Sequence, residues 1–146
     1  MAIGSCLCGG VAFEVSGTLT EIEYCHCPKC KKVYGSPFAA TLYVRSSDFT
    51  WLRGEGLVGT YEAPPKQAPP PYRHSFCKKC GAPLPLVWER APFVEVPAAT
   101  LDGAVESRPA YHQFARCRAP WFDSIDSLPK YDGAAPLEEK VIHVLV

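Results

Sequence analysis

The segment Cys25-His26-Cys27-Pro28-Lys29-Cys30-Lys31-Lys32 places three thiols within six residues. Their company decides how the chain folds. Eight of the 146 residues are Cys, and seven of them fall into three groups: Cys6 and Cys8, then Cys25, Cys27 and Cys30, then Cys77 and Cys80. A chain of this length fits one domain and removes about 68–70% of its unfolded surface from water on folding, so it needs no covalent staples. The thiols therefore serve something other than bare stability. Met1-Ala2-Ile3-Gly4-Ser5 lacks the basic and apolar regions of an export signal, which points to a reducing cytosol, where regularly spaced Cys read as metal ligands rather than disulfides. Apolar stretches such as Val141 to Val146 fall far short of the roughly 20 residues that a membrane helix requires. A cytoplasmic protein without a membrane span is expected.

Fifteen acidic residues balance fifteen basic ones. That balance argues against nucleic acid as a partner, because phosphate binding draws on an excess of Lys and Arg. Val11-Ala12-Phe13-Glu14-Val15-Ser16-Gly17 alternates large apolar residues and ends on Gly, the pattern of a half-buried strand. Ala39 to Arg45, Asp48 to Arg53, Val58 to Glu62, Leu86 to Glu89, Phe93 to Val96 and Val141 to Val146 carry the same Val, Tyr, Phe and Trp enrichment between turn residues. Fifteen Pro leave no uninterrupted window for a helix of three turns. The expected fold class is mainly β, with several short antiparallel strands and little helix, in a single domain over residues 1–146. Five of the eight residues from Pro64 to Pro71 are Pro, so 64–71 is expected to be a stiff, extended surface loop.

Two plus three plus two thiols is the pattern that carries chemistry. A Cys-x-x-Cys turn such as Cys77-Lys78-Lys79-Cys80-Gly81 delivers two sulfurs to one tetrahedral zinc, and a Cys-x-Cys pair does the same from an extended strand, whose residues i and i+2 share a face. If Cys6 and Cys8 join Cys77 and Cys80, one four-thiolate site closes. Cys25, Cys27 and Cys30 then hold a second ion with one position open, the arrangement of catalytic zinc. Spacing alone does not force this partition, because Cys6 and Cys8 can instead join two of the central three. A disulfide framework and a single structural zinc with three incidental Cys are the competing readings. His26 sits between two ligand candidates, so its ring points to the opposite face, towards packing or support of the site. Cys117 stands alone between Arg116 and Arg118, as a half-buried small residue or a redox-sensitive thiol.

The motifs Gly4-Ser5-Cys6-Leu7-Cys8-Gly9-Gly10-Val11, Cys25 to Lys32 with Gly35 and Phe38, Phe76-Cys77-Lys78-Lys79-Cys80-Gly81, Thr100-Leu101-Asp102 and Ala119-Pro120-Trp121 together resemble the glutathione-dependent formaldehyde-activating enzyme family. The resemblance spans about residues 4–133. It implies a zinc-stabilised β-tent fold and selects one partition of the thiols. Cys6, Cys8, Cys77 and Cys80 would hold a structural zinc, and Cys25, Cys27 and Cys30 a catalytic one. It also implies a carbon–sulfur lyase reaction that makes or breaks S-hydroxymethylglutathione from glutathione and formaldehyde. The run 64–71 and Cys117 depart from the family pattern near a substrate entrance.

On this reading the open zinc position accepts the substrate thiol and lowers its pKa for attack on an aldehyde carbon. Glutathione carries two carboxylates, for which Lys31, Lys32, Arg73 and Arg118 are candidate partners; Tyr34 and Trp121 are candidate apolar walls. Each has a structural alternative as surface charge or core packing. Asp123 and Asp126 read as turn residues. A thiol-binding or carrier module without catalysis is the alternative function. A zinc-ribbon interaction domain, resting on Tyr72-Arg73-His74-Ser75-Phe76, is disfavoured by the balanced charge. Seven thiolates against two Zn²⁺ ions would leave an otherwise neutral chain three charges negative. That excess explains the crowding of Lys29, Lys31, Lys32, Lys78 and Lys79 around the ligand loops.

Overall fold

A computed structural model describes residues 1–64 and 71–145. Its first sheet contains β1 (Ala2–Ser5), β2 (Ala12–Val15), β5 (Phe49–Arg53) and β11 (Leu101–Asp102), in the order β11-β1-β2-β5. The second contains β3 (Ile22–Cys25), β4 (Ala39–Arg45), β9 (Leu86–Val87), β10 (Phe93–Pro97) and β12 (Pro109–Gln113), ordered β12-β3-β4-β10-β9. The third, β6-β7-β8, is built from β6 (Val58–Glu62), β7 (Arg73–Cys77) and β8 (Pro83–Leu84). The chain is thus mainly β, as its strand patterns and prolines predict. Among the described residues the one α-helix is α1 (Pro28–Tyr34), seven residues long. All strand pairs within the sheets are antiparallel except β3 with β12, which run parallel.

Period-two alternation explains how the first two sheets meet. Phe13 and Val15 from β2 pack on Leu42 and Val44 from β4, Val94 and Val96 from β10, and Leu101 from β11, all buried. Gly4 lies opposite Phe13 in the β1–β2 register, and a Cβ there would run into the Phe13 ring. The missing side chain is what lets that ring lie across β1. A second cluster joins the first and third sheets through Cys6, Val11, Cys77 and Leu84, with Trp51 and Leu57 packed against them.

Strands β4 and β6 have the bounds their sequence pattern predicts, and β5 and β10 differ by a single residue at one end. The expected strand at Val141 to Val146 is corrected: Val141–Leu145 forms a 3-10 helix, and Val146 lies outside the described residues. Val141 and Leu145, four apart, are the buried pair, while Val144 is exposed. That is helical rather than alternating spacing, and Val141 uses it to pack on Tyr111 and Ala135. The proline-rich expectation at 64–71 falls largely on residues 65–70, outside the described residues. Substituting Gly4→Ala should destabilise the fold by about 1–3 kcal/mol, the range for overpacking a filled site. Chemical denaturation with an unchanged β-sheet circular dichroism spectrum checks it.

Candidate metal centres

Cys6 directly follows β1, and Cys8 lies in the turn that Gly9 closes by donating from its backbone N–H to the Cys6 carbonyl at 2.8 Å. Cys77 ends β7, and Gly81 N–H donates to its carbonyl at 2.8 Å. Gly81 adopts φ +75, a left-handed conformation that glycine takes without cost. The two turns bring four sulfurs within 4.8 Å of one another. Cys6 Sγ lies 3.6 Å from Cys8 Sγ, which lies 3.9 Å from Cys77 Sγ. The Val11 N–H donates to Cys6 Sγ at 3.3 Å. Backbone N–H groups of Ala82 and then Cys8 bring the Cys80 thiol down to about 6. Donors therefore wait for a thiolate. Four soft, mutually close sulfurs, two of them fully buried, fit a tetrahedral thiophilic ion such as zinc.

The second cluster gathers Cys25, Cys27 and Cys30 within the same 4.8 Å limit, and among the described residues no fourth Cys, His, Asp or Glu joins them. Cys25 ends β3. Cys27 caps α1, its sulfur accepting from the Cys30 N–H at 3.3 Å, and Pro28 follows at the first helical position, where its missing N–H costs nothing. Hydrogen bonds from the Cys25 and Cys30 thiols hold Cys27 far below the usual thiol range, with the Cys30 and Lys29 N–H groups adding to them. Tyr72 Oη donates to Cys30 Sγ at 3.7 Å, and Lys29 lies over the Tyr72 ring at 5.6 Å. The donor set of this trio fits a thiophilic cation with a coordination position left for another ligand.

The second sheet places this trio at the border of two unlike faces. Strand register puts Leu42, Val44, Val94 and Val96 on the face that packs against the first sheet. The other face carries Cys25 and Glu23 from β3, Tyr43 from β4, Glu95 from β10, and Tyr111 and Gln113 from β12. Glu23 accepts hydrogen bonds from Tyr111 Oη at 2.7 Å, Tyr43 Oη at 2.9 Å and Gln113 Nε2 at 2.9 Å. Burial raises Glu23, and burial, Glu23 and Cys27 together push Glu95 up to about 7. A cavity of about 540 Å³ lies over this face, lined by Glu23, Glu95 and Gln113 with Trp88, Arg90 and Lys140. Gln113 sits directly across from Cys25.

The candidate cations divide. Lys31 donates to the Cys117 carbonyl, Arg118 pairs with Asp123 at 3.7 Å, and Lys31 and Lys32 line a groove of about 380 Å³ with Pro120 and Trp121. Arg73 is elsewhere, paired with Glu62 and stacked 5.1 Å from the Trp88 ring centroid. Trp121 is 74% exposed, a groove wall rather than core, while Tyr34 lines the cavities on the other side of α1. Cys117 is half-buried. His26 is buried on the side opposite Cys25 and hydrogen-bonded to His112. His112 carried no signal in the sequence, because a lone His in Pro109–Gln113 has no ligand spacing. Asp126 does form the expected turn, accepting from the Leu128 N–H at 3.1 Å, but it also binds His112.

The site and fold define a mainly β protein with two cysteine centres able to hold metal ions. A family model described as glutathione-dependent formaldehyde-activating enzyme matches residues 1–117, and the chain belongs to that family. The crystal structure of a Rhodobacter sphaeroides protein is similar, with 25% sequence identity and a TM-score of 0.51 over 73% of this chain and 97% of that one. No curated protein matches the chain. Among the described residues no helix is long and apolar enough to cross a membrane.

The two centres should separate under mutation. Cys77→Ser removes a fully buried candidate ligand between two sheets, so one metal should be lost and the melting temperature should fall by at least about 10 °C, since binding energy at such a site is folding energy. Cys30→Ser should lose one metal with a shift of only a few degrees. Metal analysis and calorimetry on both variants check the contrast.

Proposed function

We propose that this chain is a zinc-dependent carbon–sulfur lyase acting on the adduct of glutathione and formaldehyde, in one zinc-binding domain over residues 1–146 of a cytoplasmic protein. The observation that carries this reading is the difference between the centres: four thiols where two sheets meet, and three at the sheet face that carries Glu23 and Glu95. Cys6, Cys8, Cys77 and Cys80 hold a structural zinc; Cys25, Cys27 and Cys30 hold the catalytic one. A zinc ion bound by three thiolates supplies a position that accepts the substrate thiol and stabilises it as a thiolate.

The rest is done by side chains. Cys25, Cys27 and Cys30 present one open side to glutathione, and Tyr72 donates to Cys30 so that its sulfur keeps a fixed direction. Lys31 and Lys32, on the groove that Trp121 walls, pair with glutathione carboxylates. Glu95, on the Cys25 face of the sheet, takes the thiol proton as the thiol binds and returns it to the oxygen of the adduct once the sulfur–carbon bond has formed. Its raised pKa near 7 suits a group that must both accept and release a proton at neutral pH.

Cys27→Ser should lose one zinc and reduce the glutathione–formaldehyde rate to that of the uncatalysed reaction. Thiols add to formaldehyde unaided, so the enzyme-free control decides the result. Loss of one zinc with an unchanged, enzyme-dependent rate overturns the proposal. Glutathione affinity without acceleration identifies a thiol carrier instead. Glu95→Gln should keep both zinc ions and lower the rate by at least about tenfold, and metal analysis beside the kinetic assay separates this from loss of the ion.

A further inference from the structure

Two imidazoles lie behind the three-thiol centre. His26 and His112 are each 1% exposed, and their rings stack with centroids 5.1 Å apart. His26 Nε2 is 2.8 Å from His112 Nδ1, and His112 Nε2 is 3.0 Å from Asp126 Oδ2. Asp126 is itself held from several sides, accepting from Ser124 Oγ at 2.7 Å, the Leu128 N–H at 3.1 Å and Lys130 Nζ at 3.2 Å. A carboxylate can only accept, so His112 Nε2 carries the proton between them. In the neutral pair His112 Nδ1 is then an acceptor, and His26 Nε2–H donates to it. The chain of bonds has one direction, from His26 to the carboxylate.

His26 is flanked by Cys25 and Cys27, and its backbone N–H donates to the Gln113 carbonyl at 3.0 Å. Its ring also meets the apolar rings of Phe38 and Phe122 and lies within hydrogen-bonding reach of the Pro37 backbone. The bond to His112 is the short side-chain contact that directs this ring. A buried imidazole pair costs more desolvation than an apolar pair would, so its presence asks for a use other than packing.

We infer that Asp126, acting through His112 and His26, positions the Cys25-His26-Cys27 loop, so that residues 124–130 set the geometry of the three-thiol centre. The pinned ring and the His26 N–H bond to the Gln113 carbonyl together restrain the backbone that carries the two neighbouring sulfurs. Asp126 and His112 are positioning residues that touch neither metal nor substrate. Carboxylate–histidine partners behind metal ligands typically govern about 10–100-fold in metal affinity. The inference rests on Cys25, Cys27 and Cys30 being metal ligands.

Cobalt(II) titration of the full chain against a competing chelator tests it, because thiolate-to-cobalt absorption reports each centre directly and the four-thiol centre is an internal control. Asp126→Ala should weaken the three-thiol centre about 10–100-fold and shift its absorption band, with the other centre unchanged. His112→Gln keeps a donor for Asp126 but cuts the link to His26, and the same selective loss is expected, so either variant suffices if the other fails to fold. Affinity at the three-thiol centre within twofold of the parent, or equal weakening at both centres, overturns the inference. A parent chain that takes up cobalt at the four-thiol centre alone overturns the metal reading instead.

Discussion

Four thiols drawn to one point hold this molecule together. Cys6 and Cys8 belong to the first sheet's turn, Cys77 and Cys80 to the third sheet's, and Cys8 Sγ and Cys77 Sγ approach to 3.9 Å. As free thiolates they would repel, so the approach is favourable only with a cation between them or with protons shared among them. Cys6 and Cys77 also anchor the apolar cluster with Val11 and Leu84. Charge compensation and hydrophobic burial therefore act at one place, and the join between two sheets depends on both.

The second sheet divides its labour across its thickness. Leu42, Val44, Val94 and Val96 supply the core, while the residues between them on the same strands, Tyr43 and Glu95, face the polar cavity. An apolar face stabilises; the opposite face can therefore hold carboxylates that cost stability. Glu23 shows how that cost is contained, because three hydrogen-bond donors meet its two oxygens. Such networks are tolerable in a low-dielectric site when every acceptor is met.

What the sequence revealed follows from this division. The thiol clusters were legible in part because each group is local: Cys-x-Cys and Cys-x-x-Cys spacing brings sulfurs together without knowledge of the fold. Strands β4, β6 and β10 were legible from β-branched and aromatic enrichment. Strands β3, β7 and β12 were not, because Ile22-Glu23-Tyr24-Cys25, Arg73-His74-Ser75-Phe76-Cys77 and Pro109-Ala110-Tyr111-His112-Gln113 spend their alternation on polar contacts rather than on apolar burial. Two of these, β3 and β12, carry Glu23, Cys25, Tyr111 and Gln113 on the polar face of the second sheet. The His112–Asp126 contact joins residues 14 apart across a turn, and no spacing rule anticipates it. At Val141 to Leu145, β-branched composition misled because burial there follows a helical repeat.

The parallel pairing of β3 with β12 also bears on the order in which the molecule can be assembled. Parallel neighbours need a long connection, and here Cys25 is partnered by Gln113, with most of the chain between them. During synthesis the loop bearing the three thiols emerges early, yet one edge of its strand stays bare until β12 has left the ribosome. Contacts of such wide separation form slowly, after their loop-closure entropy has been overcome. The three-thiol cluster is then among the last parts of the protein to become rigid, and its thiols spend the nascent chain's lifetime exposed to whatever metal and oxidant the surroundings hold.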